Sequence, residues 1–400
     1  MLADSFVAAV ALVSLVGAVP AVPVEHYSSS KCTEFYAPVT ATATNVANIT
    51  LDSPGSGSLQ VGPAAFNIFF HFCTPSEPTE RSKTVQILAH GEFTCRKGVT
   101  WLTNATGATY TQEYWNVQYK PEVYSYERAA LAQGYSILSY DALGSGRSAH
   151  PDPLNVVQLP LLTQLVVGIV QAVRSGTLAP PHIALPDFDK IVYMGHSLGS
   201  LTLNTALAES PDLPVDAAVF TGVRTWVLYH ARVETDWHLL PVYQFTHSGE
   251  AISNLTLAHG DLQIASQTFP DRFGSLSDGY TVVQDRTIFY APPGSYEEGA
   301  FEYDTANQDT ASVGLAFTLR SGFVPTPAYS GHVLAVIGDQ DVTFCNQPGC
   351  ANVFQEAAFY SAAASFEAQV IPNTGHVLNL HKSSVATYTV ILDWLTRIGF

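Results

Sequence analysis

The segment Lys190-Ile191-Val192-Tyr193-Met194-Gly195-His196-Ser197-Leu198-Gly199-Ser200 places a serine between two glycines straight after an apolar run. A serine hydroxyl is unreactive near neutral pH unless a base removes its proton, so chemistry at Ser197 requires a histidine that is itself oriented by a carboxylate. His376, in Ile371-Pro372-Asn373-Thr374-Gly375-His376, stands on a loop just after the last strand pattern. His381 is the rival ring, in what reads as a helix start with no glycine turn before it. The carboxylate comes from Val336-Ile337-Gly338-Asp339-Gln340-Asp341, where Asp339 suits a turn cap and Asp341 then reaches the imidazole. Ser197, Asp341 and His376 are thus the expected catalytic residues, in the chain order that sets three such loops on one edge of a parallel sheet. Phosphate binding, the competing use of a serine turn, lacks both a P-loop lysine and a glycine run here.

Those loops need strands behind them. Buried-strand patterns occur at Thr84–Ala89, Tyr135–Tyr140, Lys190–Met194, Asp216–Phe220, His332–Ile337 and Glu367–Ile371. A helix is expected from about Gln158 to Val173, where Leu162, Leu165, Val166, Ile169, Val170 and Val173 share one face. Further helices are expected after Pro121, after Ser197 as far as Pro211, before Glu367, and from Val385 to Ile398. Strands alternating with helices predict an α/β fold with a mostly parallel central sheet covered on both faces. Glu34–Thr40 and Phe66–Phe72 read as antiparallel edge strands. The rhythm breaks between Val223 and Ala328, a stretch rich in aromatic residues that reads as an inserted cap, because strand rhythm resumes at His332. The expected organisation is therefore a signal peptide at 1–21, core at 32–222, cap at 223–328 and core again at 329–400.

Taken together, Gly195-His196-Ser197-Leu198-Gly199, Gly338 with Asp341, and Gly375-His376 resemble the α/β-hydrolase-fold serine hydrolases of the secreted esterase and lipase type. Ala89-His90-Gly91-Glu92-Phe93 resembles that family's oxyanion loop after its third strand, and Asp141–Ser148 its turn after the following strand. The resemblance implies an oxyanion hole built from the backbone N–H of Leu198 and one from Glu92 or Phe93. It also implies that a Glu92 side chain points away from the developing negative charge, and that the Asp141–Ser148 turn supports the pocket without reacting.

Bulk composition narrows the partners. Lys and Arg number 17 against 34 Asp and Glu, a net charge of -17 with no basic cluster, which excludes nucleic acid and anionic membrane surfaces as partners. The apolar run Phe6–Val19 is too short for a stable membrane span and suits a signal-peptide core, although its leading residues carry Asp4 and no Lys or Arg. Cleavage after Ala18 or Ala21 would suit the small-residue preference. Sequons at Asn48, Asn104 and Asn254 fit a eukaryotic secretory route. Of five cysteines, Cys345 and Cys350 enclose a turn and are expected to form a disulfide; Cys32 with Cys73, or either with Cys95, remains open. The scattered histidines offer no metal-ligand spacing, and Gly144 and Gly146 lack the third glycine of a dinucleotide fingerprint, so no metal and no cofactor is expected.

The expected activity is hydrolysis of a carboxylic ester or lactone, small-molecule or lipid-like, through an acyl-enzyme. Acyl transfer, peptide cleavage and a non-hydrolytic lyase reaction use the same triad and stand as alternatives. A binding protein on this scaffold would usually lack a triad member. Epoxide and haloalkane chemistry is disfavoured, because the family's enzymes for it carry Asp where Ser197 stands.

Overall fold

The computed structural model describes residues 30–93, 108–224, 262–283, 285–344, 350 and 353–400. β1 (Ser30–Val46) and β2 (Ser58–Pro75) form a long antiparallel hairpin, β3 (Thr84–Ala89) follows, and the short β4 (Glu92–Phe93) pairs with β5 (Ala108–Thr109). Next come α1 (Pro121–Tyr124), α2 (Tyr126–Ala132), β6 (Ser136–Tyr140) and α3 (Leu159–Arg174). β7 (Lys190–His196), α4 (Leu198–Glu209) and β8 (Ala217–Thr221) build the centre. After β9 (Leu262–Ile264), β10 (Tyr280–Val283) and β11 (Ala311–Ser312), the chain returns through β12 (His332–Gly338) and β13 (Ser365–Ile371) to a closing helix, Ser384–Arg397.

Eight strands form one sheet in the order β1-β2-β6-β3-β7-β8-β12-β13. From β6 to β13 every pairing is parallel, while β1–β2 and β2–β6 are antiparallel. Strand side chains alternate between faces, so consecutive apolar residues feed two different cores. Ile191, Tyr193, Val333, Ala335 and Ile337 pack toward α3 and α4, whereas Val192, Met194, Leu334 and Val336 pack toward α2 and the closing helix. This is why the central strands read as continuous apolar runs. Burial of both faces favours the sheet by about 25 cal/mol for each Å² of apolar surface removed from water.

The edge strands are much longer than the sequence patterns at Glu34–Thr40 and Phe66–Phe72 suggested. The alternation continues through Ala41 and Ala43, which are buried, with Thr42 and Thr44 exposed. Small residues carry too little hydrophobic contrast to reveal a strand, but they let α3 lie close. Gln158 ties the hairpin end to that helix, accepting from Val46 N–H and donating to Val46 O, each at 2.8 Å. The helix expected before Glu367 is instead a 3-10 segment, Val353–Phe359.

A disulfide joins Cys32 to Cys73, directly opposed in the β1–β2 ladder with Cα atoms 4.1 Å apart, which resolves the open pairing. The Cys345–Cys350 pairing, the signal segment 1–21, and the sequons at Asn104 and Asn254 involve residues outside those described. Asn48 is described and exposed. Among the described residues no helix is long and apolar enough to cross a membrane.

The described part of the stretch read as a cap holds a small antiparallel sheet, β11-β10-β9, with short helices around it. Its centre is a buried ion pair: Arg286 Nε donates to Asp304 Oδ2 at 2.9 Å, and the Tyr290 hydroxyl donates to the same oxygen at 2.8 Å. Tyr110, from the other side of the chain, donates to Asp304 Oδ2 at 3.4 Å and lies under the Arg286 guanidinium. A buried pair of this kind tethers two segments, since removing one partner leaves an uncompensated charge at about 3–5 kcal/mol.

Candidate active site

The site begins at a backbone distortion. Ser197, between β7 and α4, has φ 52° and ψ −112°, a conformation that a residue with a Cβ adopts only under constraint. The constraint comes from both flanks. At Gly195 an added Cβ would lie 2.2 Å from the Ser200 amide nitrogen, and at Gly199 one would lie 2.5 Å from the Ala89 carbonyl oxygen. Strand and helix therefore approach so closely that only glycine fits. Ser200 Oγ donates to the Gly195 carbonyl at 2.7 Å and accepts from Thr221 N–H at 3.1 Å, pinning the helix start to β8.

The turn directs the Ser197 hydroxyl to His376. Its Oγ lies 2.9 Å from His376 Nε2, and His376 Nδ1 lies 3.0 Å from Asp341 Oδ2. A carboxylate only accepts, which assigns the proton to Nδ1 and leaves Nε2 free to accept from the serine. Asp341 Oδ1 is held by the N–H groups of Thr343 at 2.8 Å and Phe344 at 3.1 Å. All three side chains are buried. The chain of contacts can carry a proton from Ser197 to His376 and stabilise the resulting imidazolium. Asp339 instead accepts from Thr374 N–H at 3.2 Å, so it braces the loop that bears His376.

His381 serves that same loop. Its Nδ1 donates to Val377 O at 2.8 Å, while Nε2 accepts from Ala291 N–H at 3.0 Å and Gly375 N–H at 3.1 Å. It clamps Gly375 to the segment 289–291 and does not face Ser197. Sequence reading placed Phe289 and Tyr290 in the aromatic stretch read as a cap without joining them to the His376 loop, and it missed Tyr114, whose ring stacks on His196 with centroids 4.3 Å apart. The Phe289 ring lies 6.0 Å from that of His376. No local pattern signals either contact, because the partners are far apart in sequence.

At the oxyanion side, Leu198 opens α4, and the backbone after Gly91 runs as β4 beside that helix. An added Cβ on Gly91 would stand 2.8 Å from Ser197 Cβ, which measures how tightly this loop passes the serine. The backbones of Glu92 and Phe93 follow directly; the direction of the Glu92 side chain lies outside what is described. The Asp141–Ser148 turn closes on itself, with Asp141 accepting from Arg147 N–H and Gln112 N–H, each at 2.8 Å.

Neutral rings surround the site. Burial lowers the His90 and His381 pKa values to about 4, and lowers that of His196 well below its usual range with help from His376 and His90. His196 Nδ1, 3.1 Å from Thr221 Oγ1, must be the donor, because that hydroxyl already donates to the Gly195 carbonyl. Burial also raises Asp141 to about 7, despite its two N–H partners.

These shifts set a pH dependence of stability. Between pH 6.5 and 4 the unfolded chain binds protons that the folded His90, His196 and His381 refuse, so each ring lowers stability as pH falls through that window. Asp141 works oppositely between pH 7 and 3.8, since the folded carboxyl keeps a proton that the unfolded one releases. Three rings outweigh one carboxyl. Denaturant unfolding at pH 6.5 and pH 4 should show wild-type protein losing about 3 kcal/mol more than His381→Asn, from a shift of roughly 2.5 pKa units. Equal losses would contradict the neutral His381.

Comparison with known proteins follows the same lines. No curated protein sequence matches the chain. Among solved structures, an esterase from Thermogutta terrifontis is similar at 14% identity and TM-score 0.46, over 91% of this chain and 99% of that one. A monoacylglycerol lipase from Paleococcus ferrophilus is similar at 11% identity and TM-score 0.47, over 82% and 98%. An epoxide hydrolase from Vigna radiata is similar at 13% identity and TM-score 0.46, over 82% and 95%. Such distant likenesses do not discriminate among substrates. The family model described as the alpha/beta hydrolase family matches residues 87–387, which run from β3 through the turn at Ser197 and the loops bearing Asp341 and His376 into the closing helix, and the chain belongs to that family.

Proposed function

We propose that the protein is a secreted serine hydrolase that cleaves a carboxylic ester or lactone through an acyl-enzyme. The observation that carries the reading is the unbroken line of contacts from Ser197 Oγ through His376 to Asp341. Ser197 attacks the ester carbonyl while His376 Nε2 takes its proton. The tetrahedral oxyanion is met by the Leu198 N–H and by one from Glu92 or Phe93, donors fixed in place before the charge develops. His376 then returns the proton to the departing alkoxide. Water, activated by the same ring, hydrolyses the acyl-enzyme and restores Ser197. Asp341 keeps the imidazole in the required tautomer throughout.

The secretion part of the reading rests on the apolar run Phe6–Val19. A mature chain beginning at Val19 or Val22 in culture medium supports it; intracellular protein retaining Met1 overturns it. The residues of 223–328 are read as a cap over the nucleophile, on the strength of Phe289 beside His376 and of the segment's many aromatic residues.

A fluorophosphonate probe should label wild-type protein and leave Ser197→Ala unlabelled. Asp341→Asn should lower kcat/KM by about 10⁴-fold, as expected for a wrong imidazole tautomer. Asp339→Asn retains a side-chain oxygen for Thr374 N–H and should be far milder. Equal losses in a steady-state ester assay would assign the carboxylate wrongly.

An apolar cap also predicts chain-length selectivity. Each substrate methylene buried against it contributes about 0.8 kcal/mol, so three or four should raise kcat/KM by about a hundredfold if the burial persists in the transition state. Activated esters from acetate to hexanoate, compared in solution, test this. A preference for acetate would remove the apolar-pocket reading.

A further inference from the structure

At the β1–β2 edge of the sheet, four side chains with metal-binding atoms converge. Cys32 and Cys73 are cross-strand partners, and His71 lies two residues before Cys73 on β2. Glu127 comes from α2, which packs against that strand. The ligand atoms of Cys32, His71, Cys73 and Glu127 all lie within 4.8 Å of one another. Glu127 is buried; among the described residues its ion-pair partner is His71 and not a Lys or Arg, and its Oε2 has no hydrogen-bond partner. Its other oxygen faces the Cys73 sulfur and the His71 imidazole, so this buried carboxylate keeps one oxygen unpartnered, which is costly.

The spacing is informative. Zinc–ligand bonds of about 2.0–2.3 Å in a tetrahedron place neighbouring ligand atoms roughly 3.3–3.8 Å apart. Cys73 Sγ to His71 Nε2 is 3.1 Å, Cys73 Sγ to Glu127 Oε1 is 3.6 Å, and His71 Nε2 to Glu127 Oε1 is 3.4 Å. Three edges of a tetrahedron are therefore present within a few tenths of an ångström. The fourth ligand, Cys32 Sγ, is bonded to Cys73 Sγ in the disulfide, and Cys32 is exposed, so its side chain can rotate outward without disturbing the core. Arg147, the nearby cation, is engaged with Glu34 at 2.7 Å and leaves the cluster to a metal.

We propose that reduction of the Cys32–Cys73 disulfide creates a tetrahedral Zn²⁺ site formed by Cys32, Cys73, His71 and Glu127. A dithiol reductant supplies two electrons and two protons, is itself oxidised to its disulfide, and yields two cysteine thiols. Zn²⁺ then displaces both thiol protons and the His71 Nε2 proton to solvent and is bound by two thiolates, His71 Nε2 and the Glu127 carboxylate. The metal replaces the disulfide as the cross-link between β1 and β2, so oxidation and metal binding exclude each other. This inference is independent of the hydrolase chemistry.

Cobalt(II) tests it by spectroscopy. The full chain, reduced with a phosphine and freed of excess reductant, should acquire a thiolate-to-cobalt charge-transfer band and intense tetrahedral ligand-field bands; the oxidised chain should acquire neither. Zinc should bleach both. Glu127→Gln and Cys32→Ser, reduced in the same way, should bind at least about tenfold more weakly, the lower range seen even for outer-shell changes. Cys32→Ser alters an exposed side chain, so it remains a valid test should the buried Glu127→Gln fail to fold. Absence of the bands in reduced wild-type protein, unchanged affinity in Cys32→Ser, equal binding by the oxidised form, or unfolding on reduction would each overturn the proposal.

Discussion

The molecule depends on one constrained residue. Ser197 holds a positive φ of 52° between two close approaches, β7 against α4 at Gly195 and α4 against the end of β3 at Gly199, neither of which leaves room for a side chain. Such strain costs about 1–3 kcal/mol and persists only where the surroundings over-determine it. Here the parallel sheet does so. β3 and β8 flank β7 in fixed register, Ser200 is hydrogen-bonded to both β7 and β8, and α4 is buried along its length. The conformation that presents the hydroxyl to His376 is thus maintained by the whole core, not by the turn.

The acid–base partners follow from the same sheet. Ser197 follows β7, Asp341 follows β12 and His376 follows β13, three parallel strands of one sheet with only β8 between the first two, so their ends lead to the same edge. Each loop is then braced separately. Asp339 holds Thr374, His381 holds Gly375 against Ala291, and two amides hold Asp341. Neutral buried imidazoles give this bracing without adding positive charge beside His376, the ring that faces Ser197 and Asp341. The physical division is clear: His376 faces a carboxylate and a hydroxyl, whereas His381 faces two N–H donors and a carbonyl.

At the far edge, β1 and β2 extend well past the strands they flank, and their pairing brings together side chains that play no part in the acid–base line. The Cys32–Cys73 bond and the buried Glu127 with His71 occupy that edge. Elsewhere, the Asp304–Arg286 pair with Tyr290 ties Tyr110 to the described part of residues 223–328. Each cluster centres on a buried carboxylate, Glu127 in one and Asp304 in the other, whose partners come from distant parts of the chain.

Local pattern was enough for the central strands, α3, α4, the closing helix and the candidates Ser197, Asp341 and His376. These depend on short-range rules: continuous apolar runs mark strands buried on both faces, and a glycine–serine–glycine turn after a strand has few uses. The preference for Asp341 over Asp339 was legible from turn chemistry, and the structure puts Asp341, not Asp339, on His376. The length of β1 and β2 was hidden because Ala and Thr alternate with little hydrophobic contrast. The stacking of Tyr114 on His196, the clamp by His381 and the approach of Phe289 were also hidden, as was the cluster of Cys32, His71, Cys73 and Glu127. Each joins residues from different strands, helices and loops. Sequence spacing carries chemistry only where one turn or strand supplies the neighbours; strand register and helix packing decide which distant side chains share a buried space, and that is a property of the assembled sheet alone.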